Sequence, residues 1–133
     1  MKYYLDSNIC IYFLKGKHSE LKRKILSENP NNIKIPSIIK AELLNGAEKS
    51  QRREENLEII TNFLFPFEII GFNNAESIEY SKIRSGLEKR GEVTGPNEII
   101  IAATVKANNG ILVTNNMKEF ERVKNLRLED WSK

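Results

Sequence analysis

The chain has 133 residues, 40% of them hydrophobic and 29% charged, enough for one domain with its own core and too few for two ordinary ones. A mean hydropathy of −0.46 and the lack of an apolar run of about 18 residues exclude a transmembrane helix, and the charges scattered through residues 1–17, Asp6 among them, argue against a signal peptide, so a cytoplasmic protein with no membrane partner is expected. A single cysteine and a single histidine leave no internal disulfide and no zinc set, so any metal must take oxygen ligands, while a net charge of +3 tolerates an anionic partner without demanding one.

Lys2 to Leu5 is a short β-prone run that stops at Asp6-Ser7-Asn8, three helix-capping residues, and Ile9 to Leu14 continues as a helix. Leu21 to Leu26 is a charged helical stretch ending at Asn29-Pro30-Asn31-Asn32. Ile33 to Ile35 alternates like a brief strand before Pro36-Ser37 opens a helix running to Glu48. Arg52 to Phe63 predicts a further helix closed by Pro66, Phe67 to Phe72 a strand, and Ala75 to Lys89 another helix. After the turn Gly91 to Gly95, Pro96 suits the first helical position, and Ile99 to Ala107 is apolar enough to be buried on most of its circumference. Ile111 to Thr114 is the strongest strand pattern. It ends at Asn115-Asn116, followed by a short helix around Lys118 to Val123 and a weak strand at Leu126 to Leu128. No repeat interrupts the alternation of strand and helix. It favours a mainly parallel sheet covered on both faces, a three-layer α/β/α domain spanning residues 1–133.

In open parallel sheets ligands gather at the carboxyl ends of strands. Asp6 and Asn115-Asn116 fall there. Helix capping alone would explain Asp6, the dipole at a helix start would explain Glu98, and the edge of a buried stripe would explain Glu42, which sits among Ile38, Ile39, Leu43 and Leu44. The joint pattern changes the weighing. Carboxylates gathered from distant parts of the chain repel one another, by about 4 kcal/mol for a pair at 4 Å and an effective dielectric of 20. A divalent cation relieves that repulsion, and oxygen-only ligands select Mg²⁺ or Mn²⁺. Such an ion acidifies water and offsets charge on a phosphorane-like transition state, so the chemistry indicated is phosphodiester hydrolysis.

Tyr4 to Ile9, Pro36-Ser37 through Ala41-Glu42-Leu43 with Gly46 to Ser50, Gly95 to Ala103, Leu112 to Asn116 with Glu119-Phe120, and the ending Arg122 to Trp131 together resemble the PIN-domain ribonuclease toxins of the VapC type. The likeness spans nearly the whole chain in order and spacing. It implies the PIN fold, a Mg²⁺ or Mn²⁺ site, cleavage of single-stranded RNA, a homodimer, and silencing by a cognate VapB-type antitoxin. The Gly-Pro-Asn-acid and Val-Thr-Asn-Asn wording looks most like the subgroup that cuts initiator tRNA in its anticodon loop. By that resemblance Asp6, Glu42 and Glu98 would be the catalytic, metal-binding carboxylates. Ser7, Thr114 and Asn116 would stand in a supporting shell, with Glu119 as a peripheral acid.

Two departures follow. The family's third acid is usually aspartate, and the extra methylene of Glu98 displaces the carboxylate by about an ångström or more against Mg²⁺ distances of about 2.0–2.1 Å, which predicts weaker metal binding or activity. Asn115 and Asn116 occupy the place where a fourth acid often follows the last strong strand. Cations for gripping RNA are sought at Lys15, Lys17, Arg84, Lys89 and Arg90. Phe13 and Tyr80 are either base-stacking residues or core, and Leu57, Ile60, Phe63 and Leu64 are either an interface for dimer or antitoxin or core. A rival reading keeps the fold without catalysis, as an RNA-binding or antitoxin-binding module. A phosphoacceptor domain ranks last, lacking an acidic pair after the first strand and a lysine after the last.

Overall fold

The computed structural model describes residues 1–133. Strands β1 (Tyr3–Leu5), β2 (Ile33–Pro36), β3 (Glu68–Ile70), β4 (Ile111–Val113) and β5 (Arg127–Glu129) form one sheet in the order β3-β2-β1-β4-β5. Every neighbouring pair is parallel. Parallel neighbours cannot be joined by hairpins, and helices fill the crossovers: α1 (Ser7–Lys15), α2 (Ser19–Ser27), α3 (Ser37–Glu48), α4 (Arg53–Leu64), α5 (Asn74–Lys89), α6 (Pro96–Ala107) and α7 (Met117–Phe120). The result is the three-layer α/β/α architecture that the alternation indicates, with a sheet that is parallel throughout.

Local chemistry explains where the elements begin and end. Asp6 caps α1 through its side chain, and Gly16, at φ 67°, closes the helix by donating its N–H to the carbonyls of Phe13 and Tyr12. Pro96 occupies the first turn of α6, whose residues Ile101 to Val105 are all buried, as a helix packed on several sides requires. The start of α5 uses a device that the periodicity does not reveal. Glu76 folds back to accept from the Asn73 N–H at 2.8 Å, and its other oxygen accepts from the Asn108 amide at 3.0 Å, tying the start of α5 to the end of α6. These donors hold the buried Glu76 carboxyl below its ordinary range, led by the backbone bond from Asn73.

Three boundaries differ from those expected. Strand β3 stops at Ile70, and Phe72 instead turns its ring edge-on to Tyr80 at 6.0 Å. The last helix is a single turn ending at Phe120, whose side chain is buried. Asn125, at φ 64°, makes the turn that shifts β5 to Arg127–Glu129. The core is one cluster of 26 buried residues to which every helix contributes. Ile60, Phe63 and Leu64 belong to it and Leu57 packs against it, while Phe13 lies 5.3 Å from Phe63. No helix is long and apolar enough to cross a membrane.

The chain builds β1, β2 and β3 outward in one direction, then returns to place β4 and β5 on the other side of β1. The strand order therefore reverses between β1 and β4. Loops leaving those two strands diverge and leave a crevice at their carboxyl ends.

Candidate functional site

Parallel register sets Leu5 beside Val113, so the next residues, Asp6 and Thr114, also lie side by side across the crevice. Both are buried, Asp6 at 7% exposure and Thr114 at 0%. The Thr114 hydroxyl donates to Asp6 Oδ2 at 2.7 Å and accepts from the Asn116 N–H at 3.0 Å, while Asp6 Oδ1 accepts from the Ser7 N–H at 2.8 Å. Asp6 thus caps α1 and at the same time presents its carboxylate to the crevice. Burial pushes the Asp6 carboxyl above the ordinary carboxylate range; the hydrogen bonds from Thr114 and Ser7 oppose that shift and the charge of Glu98 adds to it.

Two helices bring the other acids. Glu42, half-buried on α3, is likewise held above its ordinary range, first by burial and then by the charges of Asp6 and Glu98, against a hydrogen bond from the Asn97 side chain. Glu98 stands in the first turn of α6 with its carboxylate bent back over Gly95, where a Cβ would lie 2.3 Å from Glu98 Oε2. Asp6, Glu42 and Glu98 line one cavity of about 100 Å³ together with Ser7, Asn8, Asn97 and Asn116, floored by Ile101 and Phe120. Like charges sharing so small a space shift the balance toward protonation unless a cation enters.

The lining supplies carboxylate, amide and hydroxyl oxygens and neither histidine nor cysteine, the donor chemistry that suits Mg²⁺ or Mn²⁺. In donor type the site fits such an ion. In spacing it is not closed: no three of its acids are grouped tightly enough to hold one.

The remaining expected residues are distributed around this centre. Ser7 and Asn116 line the cavity and Thr114 braces Asp6. Glu119 lies outside it, on α7, facing Arg122 at 3.7 Å. Lys15 and Lys17 are exposed at the end of α1 and just beyond. Arg84 and Arg90 are engaged elsewhere: Arg84 with Glu88 and the Tyr80 hydroxyl, Arg90 with Glu92 and the Arg122 carbonyl. Lys89 is exposed at the end of α5. Asn97 and Asn8 line the cavity without having been singled out for it, and adjacency to Glu98 and Asp6 in the motifs was the available signal. Glu42 also borders a second hollow of about 400 Å³, an apolar groove between α1, α3 and α4 that includes Ile11, Leu14, Leu43 and Ile60.

A family model described as PIN domain matches residues 3–126. Among curated proteins the chain is 42% identical to Ribonuclease VapC2 of Rickettsia felis over the full length of both. It is 38% identical to the tRNA(fMet)-specific endonuclease VapC of Shigella flexneri, over 99% of each chain. Among solved structures, VapBC2 from Rickettsia felis bound to a DNA fragment from their promoter superposes with a TM-score of 0.92 at 39% identity, over 98% of this chain and 99% of that one. DNA-bound VapBC from Salmonella typhimurium gives the same score at 34% identity, over 98% of each.

Proposed function

The chain belongs to the PIN domain family, and from that premise we propose that it is an endoribonuclease toxin of the VapC type that hydrolyses RNA phosphodiesters at the acid cavity between β1 and β4. The observation that carries this reading is the convergence of Asp6, Glu42 and Glu98, from a strand end and two separate helices, on one oxygen-lined cavity. Relatives named as ribonucleases and as a tRNA(fMet)-specific endonuclease, aligned over nearly their whole length, support it. Initiator tRNA is the proposed substrate, with the anticodon loop as the place of cutting. A VapB-type antitoxin is the proposed partner, supported by structural neighbours that are VapBC complexes, and a homodimer the proposed assembly.

Asp6, Glu42 and Glu98 would hold Mg²⁺ or Mn²⁺, with Asn97 and Asn116 as neutral oxygen donors beside them. The ion would supply Lewis acidity toward a phosphate oxygen and make water a stronger acid. The protein's own part is positional. Thr114 fixes the Asp6 carboxylate by a buried hydrogen bond, the Asn97 side chain steadies Glu42, Ser7 Oγ lies in the cavity within the lining that would meet phosphate oxygens, and Ile101 and Phe120 form the apolar floor. Glu98 in the usual place of aspartate lowers metal affinity, consistent with its carboxylate lying back over Gly95.

Incubating the purified protein with initiator tRNA in Mn²⁺ or Mg²⁺ tests the reading. One cut is expected, abolished by EDTA and reduced at least about 100-fold in Asp6→Ala, the scale on which loss of one transition-state contact acts. Cleavage that survives Asp6→Ala belongs to another enzyme and removes the proposal. A second reading, a binding module without catalysis, draws on the open spacing of the three acids; RNA bound but left intact under these conditions would establish it instead.

A further inference from the structure

The outward face of α1 continues away from the acid cavity as a connected polar and aromatic track. Asn8 lines the cavity, and Tyr12 lies four residues on, one turn or about 6 Å along the same face. Asn115 joins them from the end of β4: its Oδ1 accepts from the Asn8 amide at 3.4 Å, and its Nδ2 donates to the Tyr12 hydroxyl at 2.8 Å. The Tyr12 ring stacks on the imidazole of His18, with centroids 4.3 Å apart and planes inclined by 33°. Both side chains are half-buried; Lys15, one turn beyond Tyr12 on α1 and also at the edge of the apolar groove, and Lys17, next to His18 in the chain, are exposed. Neither lysine takes part in any of the chain's ion pairs, unlike Arg84 and Arg90.

Each component has unused capacity. A primary amide carries two N–H donors and two acceptor lone pairs, and Asn115 spends one of each within the track, leaving one donor and one acceptor for a base edge. The Tyr12 hydroxyl accepts from Asn115 and keeps its own proton to donate. Helix α1 is already anchored by the buried Ile9 and Cys10 and by Phe13 against Phe63, so its outer face is not needed to hold it down. Paired flat rings beside free cations are the means by which proteins bind single-stranded nucleic acid, base on ring and phosphate on lysine.

We propose that Tyr12, His18 and Asn115 form a subsite for the nucleobase flanking the phosphodiester that is cut, with Lys15 and Lys17 taking the phosphate beyond it. The inference rests on the ribonuclease reading and adds where specificity resides. Stacking on Tyr12 gives sequence-tolerant grip, and the Asn115 amide gives a preference among bases.

The test is a cycle of protein and substrate changes. A tRNA-derived stem-loop that the protein cuts is compared with versions carrying an abasic nucleotide on either side of the cut, using wild type, Tyr12→Leu and Tyr12→Trp at matched Tm. Removing one flanking base should lower wild-type kcat/KM by about 5- to 150-fold, carried mainly by KM. Tyr12→Leu should lose the same factor on the intact RNA and nothing further on the abasic one, and Tyr12→Trp should retain the wild-type value. Equal losses for Tyr12→Leu on both substrates, or indifference of the wild type to the missing base, would overturn the subsite. The same cycle is read independently as RNA binding by fluorescence anisotropy in an Asp6→Asn background, with an abasic nucleotide placed in turn at each position of the anticodon loop of the initiator tRNA stem-loop, so it is decided even if no RNA is cut; absence of cutting counts against the ribonuclease reading alone. Should Tyr12→Leu fail to fold, Asn115→Ala and His18→Leu enter the cycle in its place.

Discussion

Glu98 shows how much one methylene decides. In the first turn of α6 its carboxylate reaches back over the Cα of Gly95, a position open only because that residue has no Cβ. Gly95 has an ordinary φ of −61°, so alanine is acceptable to the backbone, and what must yield is the far end of a flexible side chain. Gly95→Ala is therefore expected to leave Tm nearly unchanged while driving the Glu98 carboxylate elsewhere and altering Mn²⁺ affinity. Glu98→Asp shortens the reach and should tighten Mn²⁺ by about 10-fold or more, the lower end of what displacement of groups around a metal does. Titration calorimetry with Mn²⁺ reads both variants without depending on activity, and equal affinities for Glu98→Asp and wild type would show that the extra methylene is harmless. At this scale the sequence was informative about Asp6, Glu42 and Glu98 as residue types. Which cations were free was invisible, because the partners of Arg84 and Arg90, at Glu88, Tyr80, Glu92 and Arg122, are set by side-chain geometry.

Among the elements, β1 and β4 carry the site, and their approach is controlled by Gly110 at the entrance to β4. A Cβ there would lie 2.3 Å from one carbon of the Tyr4 ring and 2.5 Å from another, and Tyr4 is itself buried. Burial raises the Tyr4 hydroxyl pKa to about 12, so this ring remains neutral and packed at any working pH. Gly110→Ala must push a rigid ring out of the core rather than bend a flexible tail. A loss of about 1–3 kcal/mol is expected from overpacking, measured as a fall in urea midpoint at unchanged slope; an unaltered midpoint would mean that β1 and β4 tolerate separation. Most elements were readable from the chain because caps and periodicity act locally: Asp6 and Gly16 bound α1, and Pro96 opens α6. Strand β3 was overestimated because the aromatic Phe72 reads as a continuation of the β-prone Ile69-Ile70, whereas the strand stops at Ile70 and Phe72 packs on Tyr80 instead. The Glu76 link from α5 to Asn108 was missed because its partner lies 32 residues away.

The molecule as a whole accepts an electrostatic penalty to assemble this cavity. Asp6 and Glu42 both have folded-state pKa values raised above their ordinary ones, mainly by burial. Over the range between the ordinary and raised values the folded protein binds protons that the unfolded chain has released, so stability falls as pH rises through that interval and then levels off. Glu76, held below its ordinary range, works in the opposite sense, so in chelator-containing buffer the contribution of Asp6 and Glu42 is read as the difference in Tm between variant and wild type across the carboxylate range. Asp6→Asn and Glu42→Gln should each raise Tm relative to wild type, and by more at pH 7 than on the acidic side of the carboxylate range. A lower Tm for both variants at neutral pH would mean that their hydrogen bonds outweigh their desolvation.

By itself the sequence determined the order and type of the strands and helices though not every boundary, the alternation that makes a parallel three-layer fold, the acidic residue types and the lack of a histidine or cysteine set for a metal. All of these follow from local propensity, periodicity and composition, which act over a few residues. Tertiary structure alone decided that β4 returns to the free side of β1, putting Thr114 in register with Asp6 across 108 residues of chain. It also decided that Asn115 reaches the Tyr12 hydroxyl across 103 residues. Those outcomes depend on packing and on parallel register between segments far apart in the chain, and local preference carries no information about either.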